Sequence, residues 1–352
     1  MVNRQKFALS IVIALMVSVG LFAQKKDDKK QSDEQKKEVA ALVKLVDEAT
    51  TGATSPNDLA LAWGHEDYLK AQNNKEYAPF AVTLDPTKAS GGNISFYWRV
   101  VSKTAAAPPP PPTDGKDKKD DKKNAVKRPE YAYEDVSYLP AGGQSAPMRV
   151  ARSFTVPAGT YDVYVAAKEP TSTQKNAPAP KASVIKQTVT VPDFWNSELT
   201  TSSVIVAQRI DPLPAPLTQQ QQVERPYALG GIEIVPATDL KMSKKVELQT
   251  FMIIYNPKTD SMNKPDVLVE YNFYQKMAGA PEKFFNKTSP QNLNAQTLPP
   301  QFDVSAGHQL QAGQGVPLSS FPEGDYRLEI KVTDKIANKS LTRDINFSVS
   351  GS

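Results

Sequence analysis

Few residues in this chain can do covalent or metal chemistry. Its 352 residues include two histidines, His65 and His308, and no cysteine. The missing thiols exclude disulfides, zinc–thiolate sites, iron–sulfur clusters, cysteine nucleophiles and a lipid anchor on an N-terminal cysteine. His65 stands in Trp63-Gly64-His65-Glu66-Asp67. No second histidine lies four residues away, so the paired ligands of a metalloprotease helix are absent. A metal on His65, Glu66 and Asp67 needs ligands from elsewhere, and the setting predicts a solvated surface histidine instead. His308 lies in the glycine-rich stretch 306–315 and is expected to be exposed. There is no Gly-x-Ser-x-Gly elbow, no Gly-Lys-Ser/Thr phosphate loop and no Asp-x-Asp-x-Asp-Gly calcium loop. Gly313-Gln314-Gly315 reads as a turn, and Asp260 and Asp266 read as turn formers. These motifs assign no catalytic, metal or cofactor-binding residue, and the expectation is a protein with no cofactor that is not an enzyme. One catalytic route stays open: two carboxylates brought together by the fold, which is all that a glycoside hydrolase requires.

Binding is the other chemistry on offer. Tyr97, Tyr164 and Tyr274 fall on the outward phase of their strands, where aromatic rings could form a platform for a glycan. The competing reading, that aromatics simply suit strands, is the stronger of the two.

The elements that must position these residues are mostly strands. Ile94, Phe96, Trp98 and Val100 alternate with Ser95, Tyr97 and Arg99, which predicts a half-buried strand. The same period returns in Tyr161–Ala167 and in Ile185–Val191. Further strands are expected over Val204–Ile210, Ile232–Val235, Val246–Tyr255, Val267–Tyr274, Tyr326–Val332 and Ile345–Val349. Asp211–Pro226, rich in Pro and Gln, is expected to be a loop. Helical candidates are confined to the first part of the chain. Val39, Leu42, Val43, Val46 and Ala49 have helical spacing, read as a short helix packed on the first domain in preference to a partner-binding helix. Ser55-Pro56 resembles a helix start, predicting a second short helix over Leu59–Ala71 that ends at Asn73-Asn74. With so few helices between strands, a parallel α/β sheet is not expected.

Two low-complexity stretches interrupt this plan. Residues 24–38 hold no apolar side chain before Val39 and are expected to form a charged, disordered tether. Residues 103–128 contain Pro108–Pro112 and then a charged run, and are expected to be a long disordered loop. Both carry the hexapeptide Lys-Lys-Asp-Asp-Lys-Lys, read as solubilising rather than functional. Ahead of them, Arg4 and Lys6 precede an uncharged, mostly apolar run, Phe7–Ala23. This is the pattern of a secretory signal peptide over residues 1–23, cut between Ala23 and Gln24, with an uncleaved anchor as the alternative. The formal net charge is +4. Removing the two basic residues of the leader leaves a nearly neutral mature chain, with no global attraction to nucleic acid.

An internal repeat points to architecture. Val156-Pro157-Ala158-Gly159-Thr160-Tyr161 matches Phe321-Pro322-Glu323-Gly324-Asp325-Tyr326. Pro and Gly turn the chain, and a tyrosine two residues after the glycine has the spacing of a tyrosine corner, in which the hydroxyl bonds back to the turn. Tyr161 and Tyr326 are therefore the expected structural corners of two immunoglobulin-like sandwiches. The stretch PEGDYRLEIKVTDKIANKSLTRDINFSV, with YAPFAVTLD and FMIIYN upstream, resembles uncharacterised secreted β-sandwich proteins, immunoglobulin-like or fibronectin-like, of Acidobacteria-type bacteria. The resemblance implies fold and export and no activity; the Gly-Trp-x-Thr-Asp and Asp-x-Ser-x-Ser modules that accompany such domains are absent here.

The sequence thus predicts a mainly β protein. A short helical segment over 39–73 precedes two antiparallel Ig-like β-sandwich domains, 74–193 and 194–352. The expected role is a binding or scaffold protein, periplasmic or secreted, with a protein or glycan of the cell envelope as partner, no nucleic acid, and no membrane span after cleavage. The alternatives are a glycan-binding accessory protein or a carboxylate-based hydrolase. N-terminal sequencing of the exported protein should find Gln24 first; a protein still beginning at Met1 contradicts the cleavage. Replacing residues 103–128 by a short Gly/Ser turn should leave soluble expression and melting temperature unchanged, because a charged proline-rich insert adds no core.

Overall fold

The computed structural model describes residues 33–90, 92–103, 131–140, 146–172, 176–215 and 217–351. The signal segment with Ala23 and Gln24, the first part of the tether and nearly all of the 103–128 loop lie outside the described residues. The chain forms two compact units. The first comprises residues 33–66 with Asn73–Asp193, and the second Asp67–Gln72 with Phe194–Ser352. The protein is mainly β, with antiparallel sandwiches and one short N-terminal helix.

In the first unit, helix α1 (Asp33–Thr50) precedes β1 (Ala62–Glu66), β2 (Glu76–Leu84), β3 (Asn93–Ser102), β4 (Tyr133–Pro140), β5 (Met148–Val156), β6 (Gly159–Lys168) and β7 (Ala182–Val191). One sheet pairs β2 with β1 and β5; the other has the order β4-β3-β6-β7. Phe80, Phe96, Trp98 and Phe154 are all buried, with Phe80 6.0 Å from Phe154 and 6.4 Å from Trp98 between ring centroids. The Trp98 indole N–H donates to the Ser153 carbonyl at 3.0 Å, so this large ring leaves no unmet donor.

Three local expectations are overturned here. The helix begins at Asp33, so residues 33–38 belong to it and not to a tether. They contain no apolar stripe of their own and extend an amphipathic helix whose Leu42 and Val46 are fully buried. The second helix over Leu59–Ala71 does not form; residues 62–66 and Leu69–Lys70 are strands instead. Tertiary pairing of β1 along β2, Ala62 opposite Thr83 through Glu66 opposite Phe80, wins over a weak helical period. Asn73 and Asn74, at φ 57° and 54°, make a left-handed turn, a conformation asparagine tolerates better than most residues. Finally, β3 is not half-buried but buried on both faces from Ile94 to Val100.

The second unit contains β8 (Ile205–Pro212), α2 (Gln219–Glu224), β9 (Ile232–Pro236), β10 (Glu247–Tyr255), β11 (Val267–Met277), β12 (Ala280–Lys287), β13 (Leu310–Pro317), β14 (Gly324–Asp334) and β15 (Lys339–Ser350) among its longer elements. Its sheets follow the orders β9-β8-β10-β13 and β15-β14-β11-β12. A short strand, Lys241–Ser243, runs parallel to β15. The segment 211–226 is not loop throughout, because Thr218 and Gln221 form a capping box that starts α2. Gly313 and Gly315 lie in β13 and not in a turn. A Cβ on Gly313 would sit 2.5 Å from the Thr250 carbonyl oxygen, so close strand approach explains the glycine.

Both units use the same crossing. β5 and β6 belong to opposite sheets, as do β13 and β14, and the Pro-x-Gly-x-Tyr segments join them. The Tyr161 hydroxyl donates to the Pro157 carbonyl at 2.8 Å, and the Tyr326 hydroxyl to the Pro322 carbonyl at 2.8 Å. Gly159 at φ 153° and Gly324 at φ 141° take backbone angles that a side chain disfavours. In the second unit the corner ring sits within an aromatic cluster, 5.3 Å from Phe321 and 5.5 Å from Phe347. Tyr326→Phe should lower the second unit's stability by about 1 kcal/mol, the net worth of one such hydrogen bond, read as a lower urea midpoint at unchanged slope; an unchanged midpoint contradicts the role.

Candidate functional site

The three outward tyrosines meet different fates. Tyr97 and Tyr164, on β3 and β6, are 3% and 6% exposed because α1 lies across this outer face. Leu42 and Val46 pack with Tyr97, Tyr164, Ala166 and Val184 in an apolar cluster. The site that a glycan platform at these two rings would need is thus covered in the first unit. Two ion pairs hold the helix down. Near its start, Lys168 donates to Glu38 at 2.6 Å, to the Glu169 carbonyl at 2.9 Å and to Thr171 Oγ1 at 3.0 Å. Burial would raise the Glu38 carboxyl, but the hydrogen bonds from Lys168 and Thr171 together outweigh it and hold that group below its ordinary value. Near the helix end, Arg99 donates to Asp47 at 2.6 Å through one terminal nitrogen and to the Tyr97 hydroxyl at 2.8 Å through Nε. The Tyr97 hydroxyl donates to Glu134 at 2.6 Å, and the Tyr131 ring lies 4.0 Å from the guanidinium. Arg99 is fully buried, and its Nη2 has no acceptor among the described residues.

His65 is not a free surface residue. An Arg149 N–H lies 3.0 Å from His65 Nε2, and since arginine can only donate, Nε2 accepts and the ring is neutral. Burial first, and then the Arg149 charge, pull the imidazole down to about 4. Glu66 accepts the Trp63 indole N–H at 2.7 Å, and Trp63 stacks on Phe80 at 5.0 Å. His308 is half-buried rather than exposed, and its Nδ1 accepts the Asp303 backbone N–H at 3.0 Å. No group of three or more potential metal ligands occurs among the described residues.

Three buried carboxylates, Asp67, Glu169 and Asp334, are held in structural bonds. Asp334 accepts backbone N–H groups of Lys258, Ile336 and Ala337 at 2.7, 3.0 and 2.9 Å. Glu169 accepts those of Ser90 and Lys181, and Asp67 accepts the Tyr227 hydroxyl at 2.8 Å. Asp260 accepts the Met262 and Lys264 N–H groups within its own turn.

Tyr274 keeps its outward position. It lies on β11 opposite Arg327 of β14 and Phe284 of β12, so the three side chains form one row across the outer face of the second unit. Tyr274 meets Phe284 edge-on at 5.8 Å, and the Arg327 guanidinium lies 4.5 Å from the Tyr274 ring. Arg327 also holds Glu282 at 2.8 Å, Glu329 at 3.2 Å and Asp344 at 2.5 Å. Phe284 and Met277, both 51% exposed, project from the hairpin formed by β11 and β12. In the edge strand β12, Phe285 turns inward against Phe321 at 4.9 Å, while Pro281 and Lys283 and two register shifts against β11 discourage strand addition. Spacing alone points to Tyr274; Phe284 lies on a strand that the sequence does not announce, and Met277 lies just beyond the expected end of its strand at Tyr274.

No family model matches the chain, and no curated protein matches it. Among solved structures it superposes on Escherichia coli alpha-2-macroglobulin activated by porcine elastase, at 12% identity over 85% of this chain and 23% of that one, with a TM-score of 0.21. Salmonella alpha-2-macroglobulin reacted with methylamine matches at 11% identity over 84% of this chain and 17% of that one, again with a TM-score of 0.21. The chain thus spans about a fifth of the length of those proteins.

The His65 environment predicts a pH effect. The imidazole titrates near 6.5 when unfolded and near 4 when folded, so between these values the unfolded state binds more protons. Stability is complete above about 6.5 and falls as pH drops toward 4. His65→Gln, which still accepts from Arg149, should flatten the first unit's urea midpoint between pH 6.5 and 4.5; an unchanged slope refutes the assignment.

Proposed function

We propose that this protein is a non-enzymatic, exported binding module, and that its second unit engages a protein of the cell envelope or its exterior through the outer face around Tyr274, Phe284 and Arg327. The observation that carries the reading is the projecting pair Phe284 and Met277 beside the ion pairs of Arg327. Exposed apolar side chains beside aromatic and arginine residues are the composition of protein-binding surfaces. A protein partner is favoured over a glycan because Arg327 already occupies a face of the Tyr274 ring. Export is supported by the basic-then-apolar N-terminus. The non-enzymatic reading is supported by the buried Asp67, Glu169 and Asp334, each held by a hydrogen bond from elsewhere in the fold.

Mature protein and a Met277→Ser/Phe284→Ser variant should be used as baits on envelope extract and on a glycan array. A stoichiometric protein partner retained by the wild type, and lost at least tenfold by a variant of unchanged melting temperature, is the expected result. A glycan bound only by the wild type would move the reading to sugar recognition. Hydrolysis of a polysaccharide or peptide, abolished by one Asp or Glu substitution, would overturn it.

A further inference from the structure

The outer face beneath α1 has the makings of a binding site already filled from within the chain. Its apolar part, with Tyr97, Tyr164 and Val184 at its centre, accepts a narrow stripe led by Leu42 and Val46. Its polar part is two buried cations, Lys168 and Arg99. These face Glu38 and Asp47, nine residues apart and therefore about 13.5 Å apart along a helix. A receiving face with two cations at fixed separation selects an acidic amphipathic helix, since either cation left unpaired in a buried position is heavily penalised.

α1 meets this demand incompletely. Asp47 engages one terminal nitrogen of Arg99 through one oxygen, and the other terminal nitrogen has no acceptor among the described residues. The Asp47 side chain is 52% exposed. A glutamate at that helix position reaches one methylene further, far enough to offer both oxygens to the guanidinium, the stronger geometry for this pair. The segment that links α1 to the sandwich is itself loosely held. Thr51–Ser55 is exposed, Gly52 lies at φ 89°, and the chain is next fixed at Pro56, whose carbonyl accepts the Val184 N–H at 2.8 Å. Helices in proteins draw most of their stability from packing of their apolar face, so α1 is expected to lose its structure when it leaves the sheet.

We propose that the outer face of the first unit is a docking site for an acidic amphipathic helix of a partner protein, and that α1 masks this site until such a helix displaces it. The partner helix carries a carboxylate pair nine residues apart flanking a two-turn apolar stripe, with glutamate opposite Arg99.

The probe is a fluorescent peptide of residues 33–50 carrying Asp47→Glu, titrated into the full chain and into full chain carrying Leu42→Ser, which loosens α1. The Leu42→Ser chain should bind the peptide at least tenfold more tightly than the wild type does. A control peptide carrying Glu38→Lys and Asp47→Lys should bind at least tenfold more weakly to both. In the wild-type chain, excess Asp47→Glu peptide should remove hydrogen-exchange protection from amides 39–49, a readout that holds even if the Leu42→Ser chain folds poorly. Unchanged protection at millimolar peptide, or equal binding of the lysine peptide, overturns the proposal. Native mass measurement of the wild type alone gives one further outcome: a dimer abolished by deleting α1 would show helix exchange between copies and overturn the assignment to a foreign helix.

Discussion

Each unit depends on one chain crossing between its two sheets. At the crossing the backbone leaves one ladder before joining the next, and a carbonyl there has no strand partner. A buried tyrosine ring needs an acceptor for its hydroxyl, and the exposed proline at the crossing offers one. The tyrosine four residues downstream donates to it, Tyr161 to Pro157 and Tyr326 to Pro322, and its ring fills the adjacent core. The intervening glycine permits the angle between them. Once the crossing is set, so is the register of the next two strands: Gly159 pairs with Val191, and Gly324 with Val349. Every inward side chain of those strands follows from that register.

The crossings were legible in the sequence because all their chemistry is local: proline, glycine and tyrosine within five residues. The strands were legible for the same reason, as alternation is a property of a single segment. What was hidden depends on partners distant in sequence. Ser95, Tyr97 and Arg99 look like the wet face of β3 when that strand is read alone. They are buried because α1, some fifty residues earlier, lies across them. Gly313 looked like a turn residue because the Thr250 carbonyl that excludes a side chain there is sixty-three positions away.

Arg99 and Arg327 make the comparison concrete. Both project from central strands, both lie near tyrosine rings, and both are paired with acids. Arg327 finds its three carboxylates on its own strand and on two other strands of the same sheet, so its face is electrostatically complete without any further layer. Arg99 takes its carboxylate from a helix, and its face is complete only when that helix is present. The same residue type therefore leaves one sheet face self-sufficient and open, and makes the other dependent on a covering element.

That difference separates two kinds of recognition. On the open face of the second unit Arg327 is matched within its own sheet, so the proposed partner would gain little from it and would bind through the projecting Phe284 and Met277, a contact whose strength follows apolar area and is largely insensitive to salt. On the covered face the charges are buried and demand a specific complement. There the proposed helix would first have to displace α1, and its selectivity would come from the cost of leaving Arg99 or Lys168 unpaired rather than from area. An open apolar contact favours ready association, whereas a masked charged groove favours discrimination. A chain of two sandwiches with one surface of each kind has the means to separate encounter from commitment.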